Sequence, residues 1–226
     1  MVFRAYDPLE LLGPMNAVEA KNAPKSLWAA GDVALLEAGS RVSVVGSRNV
    51  SPQGVKRTAK LVRALVERNM IVVSGLAQGV DTIAHTTAIE AGGQTIAVLG
   101  TPLDTASPTQ NRDLQTLIMR EHLAISQFEI GTPVQRHNFP ARNRTMALFS
   151  DATVIVEASA KSGTEHQAWE ALRLGRMLFV LKSVADAGHD WVAKVIHYGA
   201  QVLTDKNLDV VLENMPERVR AEELPF

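Results

Sequence analysis

The chain has 226 residues, is 46% hydrophobic and 21% charged, and carries a formal net charge of −1 with no cysteine. These values fit a folded chain with a sizeable core and argue against disorder, a disulfide framework and a thiolate metal site. No apolar run approaches membrane-spanning length, and MVFRAYDPLELLG lacks the basic-then-apolar layout of a signal peptide, so the expectation is a cytoplasmic protein with no membrane partner.

Residues 1–40, with prolines at 8, 14 and 24, read as a lead-in of loops and short helices packed on a main domain at 41–214, with a charged tail at 215–226. From Arg41 onward, short β-branched runs alternate with longer amphipathic stretches, the mark of βαβ units. The runs Val42–Val45, Ile71–Val73, Thr95–Leu99, Leu123–Ile125, Thr153–Val156 and Leu178–Leu181 read as strands buried on both faces, and Gln201–Leu203 as a short edge strand. A helix capped by Ser51 with Pro52 in its first turn puts Val55, Ala59, Val62, Leu65 and Val66 on one face. Asp81 is placed to cap a helix reaching Ala91; further helices cover Arg112–Glu121 and start near Thr164, ending before Gly175, with Trp169, Leu172 and Leu174 as core. The fold class is therefore α/β: an extended Rossmann-like, doubly wound, mostly parallel sheet with helices on both faces.

In such a sheet, ligands bind outside the carboxyl ends of the strands. The first strand is followed by Gly46, Ser47 and Arg48, and the second by Ser74, Gly75, Leu76, Ala77, Gln78 and Gly79. The run after the fifth includes Lys161, Ser162, Gly163 and Thr164. Small and hydroxyl residues feeding a helix N-terminus let backbone amides approach an anion. Glycines that merely close turns would explain one such loop; three at one sheet edge favour phosphate binding. Arg48 directly after a strand is placed to grip a phosphate, or else is a plain surface arginine. The densest basic stretch runs from Arg136 to Arg144 and includes Phe139, Arg142 and Asn143. Arginines beside an aromatic ring suit a single strand through backbone contacts and stacking; the alternative is a core Phe139 with arginines paired to surface carboxylates. Lys161 and Lys182 would widen the patch. With so low a net charge, any nucleic-acid site must be local.

Neither a G-x-G-x-x-G after the first strand nor a G-x-x-x-x-G-K-[ST] is present, which disfavours plain NAD binding and a P-loop nucleotidase. The six histidines show no metal spacing, so neither a metal nor a cofactor is expected. Asp81 and Asp104 read as capping and loop residues, and His85 and His166 as helix residues.

Taken in order, Val45-Gly46-Ser47-Arg48, Ser74-Gly75-Leu76-Ala77-x-Gly79-Val80-Asp81, Gly93-x-Thr95 to Gly100, Phe139-Pro140-x-Arg142-Asn143-Arg144, and Val156-Glu157-Ala158 with Ser162-Gly163 resemble the DNA-processing protein A family (DprA, also called Smf). The match runs from about residue 25 to 203. The resemblance implies an extended Rossmann fold that binds single-stranded DNA without catalysis, forms a homodimer and helps load the recombinase RecA during DNA processing and natural transformation. It further implies phosphate recognition by Gly46, Ser47 and Arg48, and a positive pocket lined by Arg142–Arg144. Three departures stand out: Ser107 replaces the family's usual aromatic, Ser126-Gln127 replaces Ser-Glu, and Thr164-Glu165 follows Ser162-Gly163, adding a negative charge. The helical and winged-helix domains that flank many members are not expected here.

Two other readings use the same pocket. One is a nucleoside-monophosphate phosphoribohydrolase, a related fold whose G-G-x-G-T-x-x-E motif would place Gln167 where the glutamate stands; a glutamine cannot act as the carboxylate base. The other is a nucleotide sensor, which suits the near-neutral charge.

Overall fold

A computed structural model describes residues 2–159 and 163–215. Among these, nine strands form one sheet in the order β1-β2-β6-β5-β4-β3-β7-β8-β9. The strands are β1 (Arg4–Tyr6), β2 (Leu27–Gly31), β3 (Arg41–Gly46), β4 (Ile71–Ser74), β5 (Thr95–Leu99), β6 (Leu123–Ser126), β7 (Ala152–Glu157), β8 (Met177–Leu181) and β9 (Gln201–Leu203). Pairing is parallel from β3 through β9, while β1 with β2 and β2 with β6 are antiparallel. The α/β, mostly parallel architecture expected from the sequence is thus observed. The lead-in does more than pack on it: besides α1 (Pro8–Leu12) and α2 (Ala17–Asn22), it contributes two strands that extend the sheet.

Alternate residues of each strand face two different cores. Val42, Val44 and Val72 pack with α3 (Pro52–Val66), α4 (Val80–Glu90) and α10 (Leu208–Glu213). On the same face, Ala97, Leu99 and Ala124 meet Ile118 and Met119 of α5 (Arg112–Glu121). Val45, Ile71, Val73, Ile96 and Ile125 face the other way, toward α1, α6 (Asn138–Leu148), α7 (Gly163–Arg173) and α9 (Asp190–His197). A short α8 (Lys182–Ala185) follows β8.

Ser51 caps α3, its hydroxyl accepting from the Gly54 amide at 3.0 Å, with Pro52 in the first turn. The buried face of α3 differs from the expected one. Thr58, Leu61, Val62 and Leu65 are buried, while Val55 is 39% exposed. Thr58 can turn inward because its hydroxyl donates to the Gly54 carbonyl at 2.8 Å, leaving no unmet polar group. Asp81 is not the cap of α4: Gly79 holds that position, and Asp81 lies inside the first turn. Leu174 is buried as expected, whereas Trp169 and Leu172 only lean on the core, and Trp169 meets Tyr198 edge-on.

His85 is fully buried, with Nδ1 2.7 Å from the Thr95 hydroxyl. That hydroxyl donates to the Val72 carbonyl, so it accepts from a neutral His85 protonated on Nδ1. Burial pushes the imidazole pKa down from 6.5 to about 3. The unfolded chain therefore takes up a proton that the fold refuses. Stability is expected to fall between pH 6.5 and pH 3, by at most about 1.4 kcal/mol per pH unit. Chemical denaturation of wild type and His85→Leu across that range checks this: the leucine variant should lose less stability on acidification.

Candidate nucleic-acid interface

The chain proceeds from β3 outward to β6, then crosses back to β7 on the other side of β3. The carboxyl ends of β3 and β7 therefore meet at the topological switch point, where a crevice is expected. A cavity of about 580 Å³ opens there, within the range that holds a nucleotide.

Its rim begins at Gly46, which pairs with Glu157 across a register shift. A side chain at Gly46 would meet the Glu157 carbonyl at 2.9 Å and Val80 at 2.6 Å, so only glycine lets the strands stay this close. The Ser47 amide donates to the Glu157 carbonyl at 2.9 Å, and the Ser47 carbonyl accepts from the Val80 amide at 3.2 Å. Gly79, at φ +85°, passes directly under the Ser47 and Arg48 carbonyls. It does not line the cavity but supports the loop that does. Gly79→Ala is expected to cost about 1–3 kcal/mol through its positive φ and the 2.5 Å approach to the Arg48 carbonyl, measurable by thermal unfolding.

Arg48 is exposed on this loop, its guanidinium carbon 5.9 Å from the centre of the Phe139 ring. Phe139 is half-buried; it packs against Gly100, where a Cβ would meet the ring at 2.6 Å, and turns its remaining surface to the cavity. The ring thus combines the two alternatives open from sequence: part core, part cavity wall. Glu157 does not compete for Arg48. Its carboxylate accepts from the Ser51 amide at 2.8 Å and the Ser51 hydroxyl at 2.5 Å, anchoring the start of α3.

The basic stretch from Arg136 to Arg144 does not act as one patch, because most of it lies on α6. Two positions along a helix are about 200° apart, so Arg142 and Arg144 point in opposite directions. Exposed Arg136 lines the cavity. Arg144 does not; it forms a forked pair with Glu170 of α7 at 3.1 and 3.2 Å. Arg142 forms the floor and is 5% exposed. Its guanidinium donates to the Gly75 carbonyl, to the Val98 carbonyl at 2.9 Å and to Asn143 Oδ1 at 3.1 Å. Asp81 accepts from the Gly75 and Ala77 amides at 3.1 and 3.3 Å. Gly75 is thereby gripped on both sides, through its N–H by a buried carboxylate and through its C=O by a buried guanidinium. Burial pushes the Asp81 pKa up and the Arg142 pKa down, and each is partly restored by the charge of the other.

Ser74 lies below the cavity, its buried hydroxyl donating to the Val44 carbonyl at 2.7 Å. Ala77 and Asn143 line the wall; the Asn143 amide donates to the Gly163 carbonyl at 3.3 Å, joining α6 to α7. Gly163 and Thr164, the first residues of α7, complete the rim, so the positive end of that helix faces the cavity. Lys161 and Ser162 lie outside the described residues. Lys182 sits elsewhere, paired with Asp186 at 2.8 Å. Glu165, the unexpected acid, is absent from the described lining, whereas His166 and Gln167 are present. Sequence reasoning did not single out Asn49, Met146 or Ser159 as wall residues; it set Asp81 near the crevice only as a capping residue, and Gln167 only at the place of a related motif's glutamate. The positions of Asn49, Met146 and Ser159 follow from the switch point rather than from any motif.

The described walls thus set Arg48, Arg136 and Arg142 against Asp81 as the single acid. This is a locally positive, amide-lined crevice suited to an anion in a chain whose net charge is only −1. Among the described residues no group of three His, Cys, Asp or Glu could hold a metal ion, and no helix is long and apolar enough to cross a membrane.

A family model for DNA recombination-mediator protein A matches residues 12–216. The chain belongs to that family. Its relatives include the DNA processing protein DprA of Streptococcus pneumoniae, 37% identical over 212 residues that cover 93% of this chain and 74% of the relative. The Smf protein of Synechocystis is 40% identical over 168 residues, 74% of this chain and 42% of the relative. The X-ray structure of the Streptococcus pneumoniae DprA superposes with a TM-score of 0.82 at 35% identity, covering 95% of this chain and 75% of that one. The Helicobacter pylori DNA processing protein A gives 0.80 at 27% identity, covering 95% and 97%. Within this DprA framework, the Ser126-Gln127 departure is accommodated locally. The Ser126 hydroxyl donates to the Thr101 carbonyl at 2.7 Å, and Gln127 accepts from the Thr145 hydroxyl.

Proposed function

We propose that the crevice binds the phosphates of single-stranded DNA and that the protein is a recombination mediator with no catalytic step of its own. The observation that carries this reading is exposed Arg48 at the switch point, beside the half-buried Phe139 ring and the buried charge of Arg142, all three lining one cavity. Phosphate grip next to an aromatic platform is the arrangement that single strands need. The Helicobacter pylori relative, whose structure concerns a single-stranded DNA binding mode, supports the same ligand here.

The phosphoribohydrolase reading would need a carboxylate free to move a proton. Among the described lining residues the acid is Asp81, whose Oδ2 already accepts two backbone amides. Gln167 has no carboxylate to offer. Loading of RecA, a homodimeric state, a cytoplasmic location and a role in transformation belong to the proposal through the family resemblance.

The test is binding to an oligo-dT length series, duplex DNA and mononucleotides at two salt concentrations, by fluorescence anisotropy. Affinity rising with strand length, a preference for single strands and a steep loss with salt are expected. Equal affinity for a mononucleotide and a long strand would favour a nucleotide sensor, a reading that the cavity volume of about 580 Å³ also fits. Release of free base from a nucleoside monophosphate would overturn the non-catalytic reading.

A further inference from the structure

Gln167 lies in the second turn of α7, is 1% exposed and forms part of the cavity wall. Among the described residues neither its amide nitrogen nor its amide oxygen has a hydrogen-bond partner. Buried polar groups are almost always satisfied, so an amide with both ends unmet beside a ligand cavity calls for a partner that arrives from outside. We infer that Gln167 reads the edge of a nucleobase held in the crevice. The inference rests on the nucleic-acid reading of the site and gives the crevice a base subsite in addition to its phosphate grip.

The chemistry of the ligand decides what the amide can meet. A phosphate offers acceptors alone and would satisfy only the NH2. A deoxyribose inside a strand has both hydroxyls esterified and offers no donor. A base edge presents a donor beside an acceptor, the complement of a carboxamide, which is how glutamine reads adenine in a groove. The neighbours agree with this division. Arg48 and Arg136 are exposed on the rim, where a backbone would pass, and Phe139 supplies an apolar face. Asn143 is already engaged at both ends, since its oxygen accepts from Arg142 and its nitrogen donates to Gly163. The Gln167 amide sits just under the wall surface, so engaging a base requires the side chain to turn outward about its own bonds. The unmet hydrogen bonds favour that turn.

The experiment uses the full chain, wild type and Gln167→Met, which keeps the side-chain length and removes both polar ends. Binding is measured to dA, dC and dT homopolymers of about twelve nucleotides. Wild type is expected to show a spread of about tenfold between its tightest and weakest homopolymer, set by hydrogen bonding to the base edge. Gln167→Met should compress the spread below about threefold while keeping the wild-type salt dependence. Its melting temperature should be equal or higher, because an unsatisfied buried amide is lost. A Gln167→Met protein that keeps the wild-type spread overturns the inference and leaves the phosphate reading intact; a wild type that binds no homopolymer overturns both. A second measurement needs no variant. The side-chain NH2 resonance of Gln167 should move on adding the base-bearing strand that binds tightest, and not on adding an abasic strand of equal length. An unmoved resonance overturns the inference.

Discussion

Arg142→Met should destabilise the protein by about 3–5 kcal/mol, because it leaves a buried carboxylate without its counter-charge. Asp81 already has a raised pKa from burial, and Arg142 is the charge that offsets it. Without Arg142 the carboxyl will hold its proton to still higher pH. The sign follows from linkage. A carboxyl whose folded pKa is raised contributes stability that is present at low pH and lost as pH rises through the folded pKa. The deficit of Arg142→Met against wild type should therefore shrink as pH falls toward 3.8, the ordinary value for aspartate. Urea denaturation of both proteins at several pH values reads this directly. The double variant Asp81→Asn, Arg142→Met should recover part of the loss. An equal deficit at every pH would mean that the pair is not what holds the Gly75 peptide.

Arg48→Ala should leave folding intact and weaken single-strand binding by about tenfold to a hundredfold, the equivalent of one charge-assisted hydrogen bond. The slope of log affinity against log salt should fall by about 0.7, one phosphate contact on a single strand. Arg144→Ala is the matched control. Its pair with Glu170 is partly exposed, so it should cost no more than about 1 kcal/mol of stability and leave DNA affinity within about twofold. Comparable binding losses in the two variants would argue for a diffuse field rather than a grip at Arg48.

The parallel sheet was legible because its strands are short β-branched runs, and the crevice because the Gly/Ser loops follow those runs. What sequence missed has physical causes. Leu27-Trp28-Ala29-Ala30-Gly31 is a strand without a β-branched residue, stabilised by antiparallel pairing to β6. Helix α6 carries a proline in its first turn, where it is tolerated, and buries Asn138, Arg142 and Asn143, so its inward face does not read as apolar. For the same reason the two arginines on either side of Asn143 looked alike in sequence, yet one is the floor of the site and the other a surface pair. Gln167 carried no signal as a reader; only the absence of partners among the described residues marks it out.

The grip on Gly75 has a kinetic consequence. Gly75 is held from α4 and α6, by Asp81 on its N–H and Arg142 on its C=O, and Arg142 is itself tied to β5 through the Val98 carbonyl. The loop on which the crevice rests cannot rearrange without breaking these buried contacts together, so its opening is expected to be costlier than that of an ordinary surface loop. In the proposed function, a strand arriving at the crevice meets a loop whose backbone is already in place, with the Gln167 side chain left to turn. Little ordering then accompanies association, and differences in affinity among strands and variants should be expressed as differences in residence time.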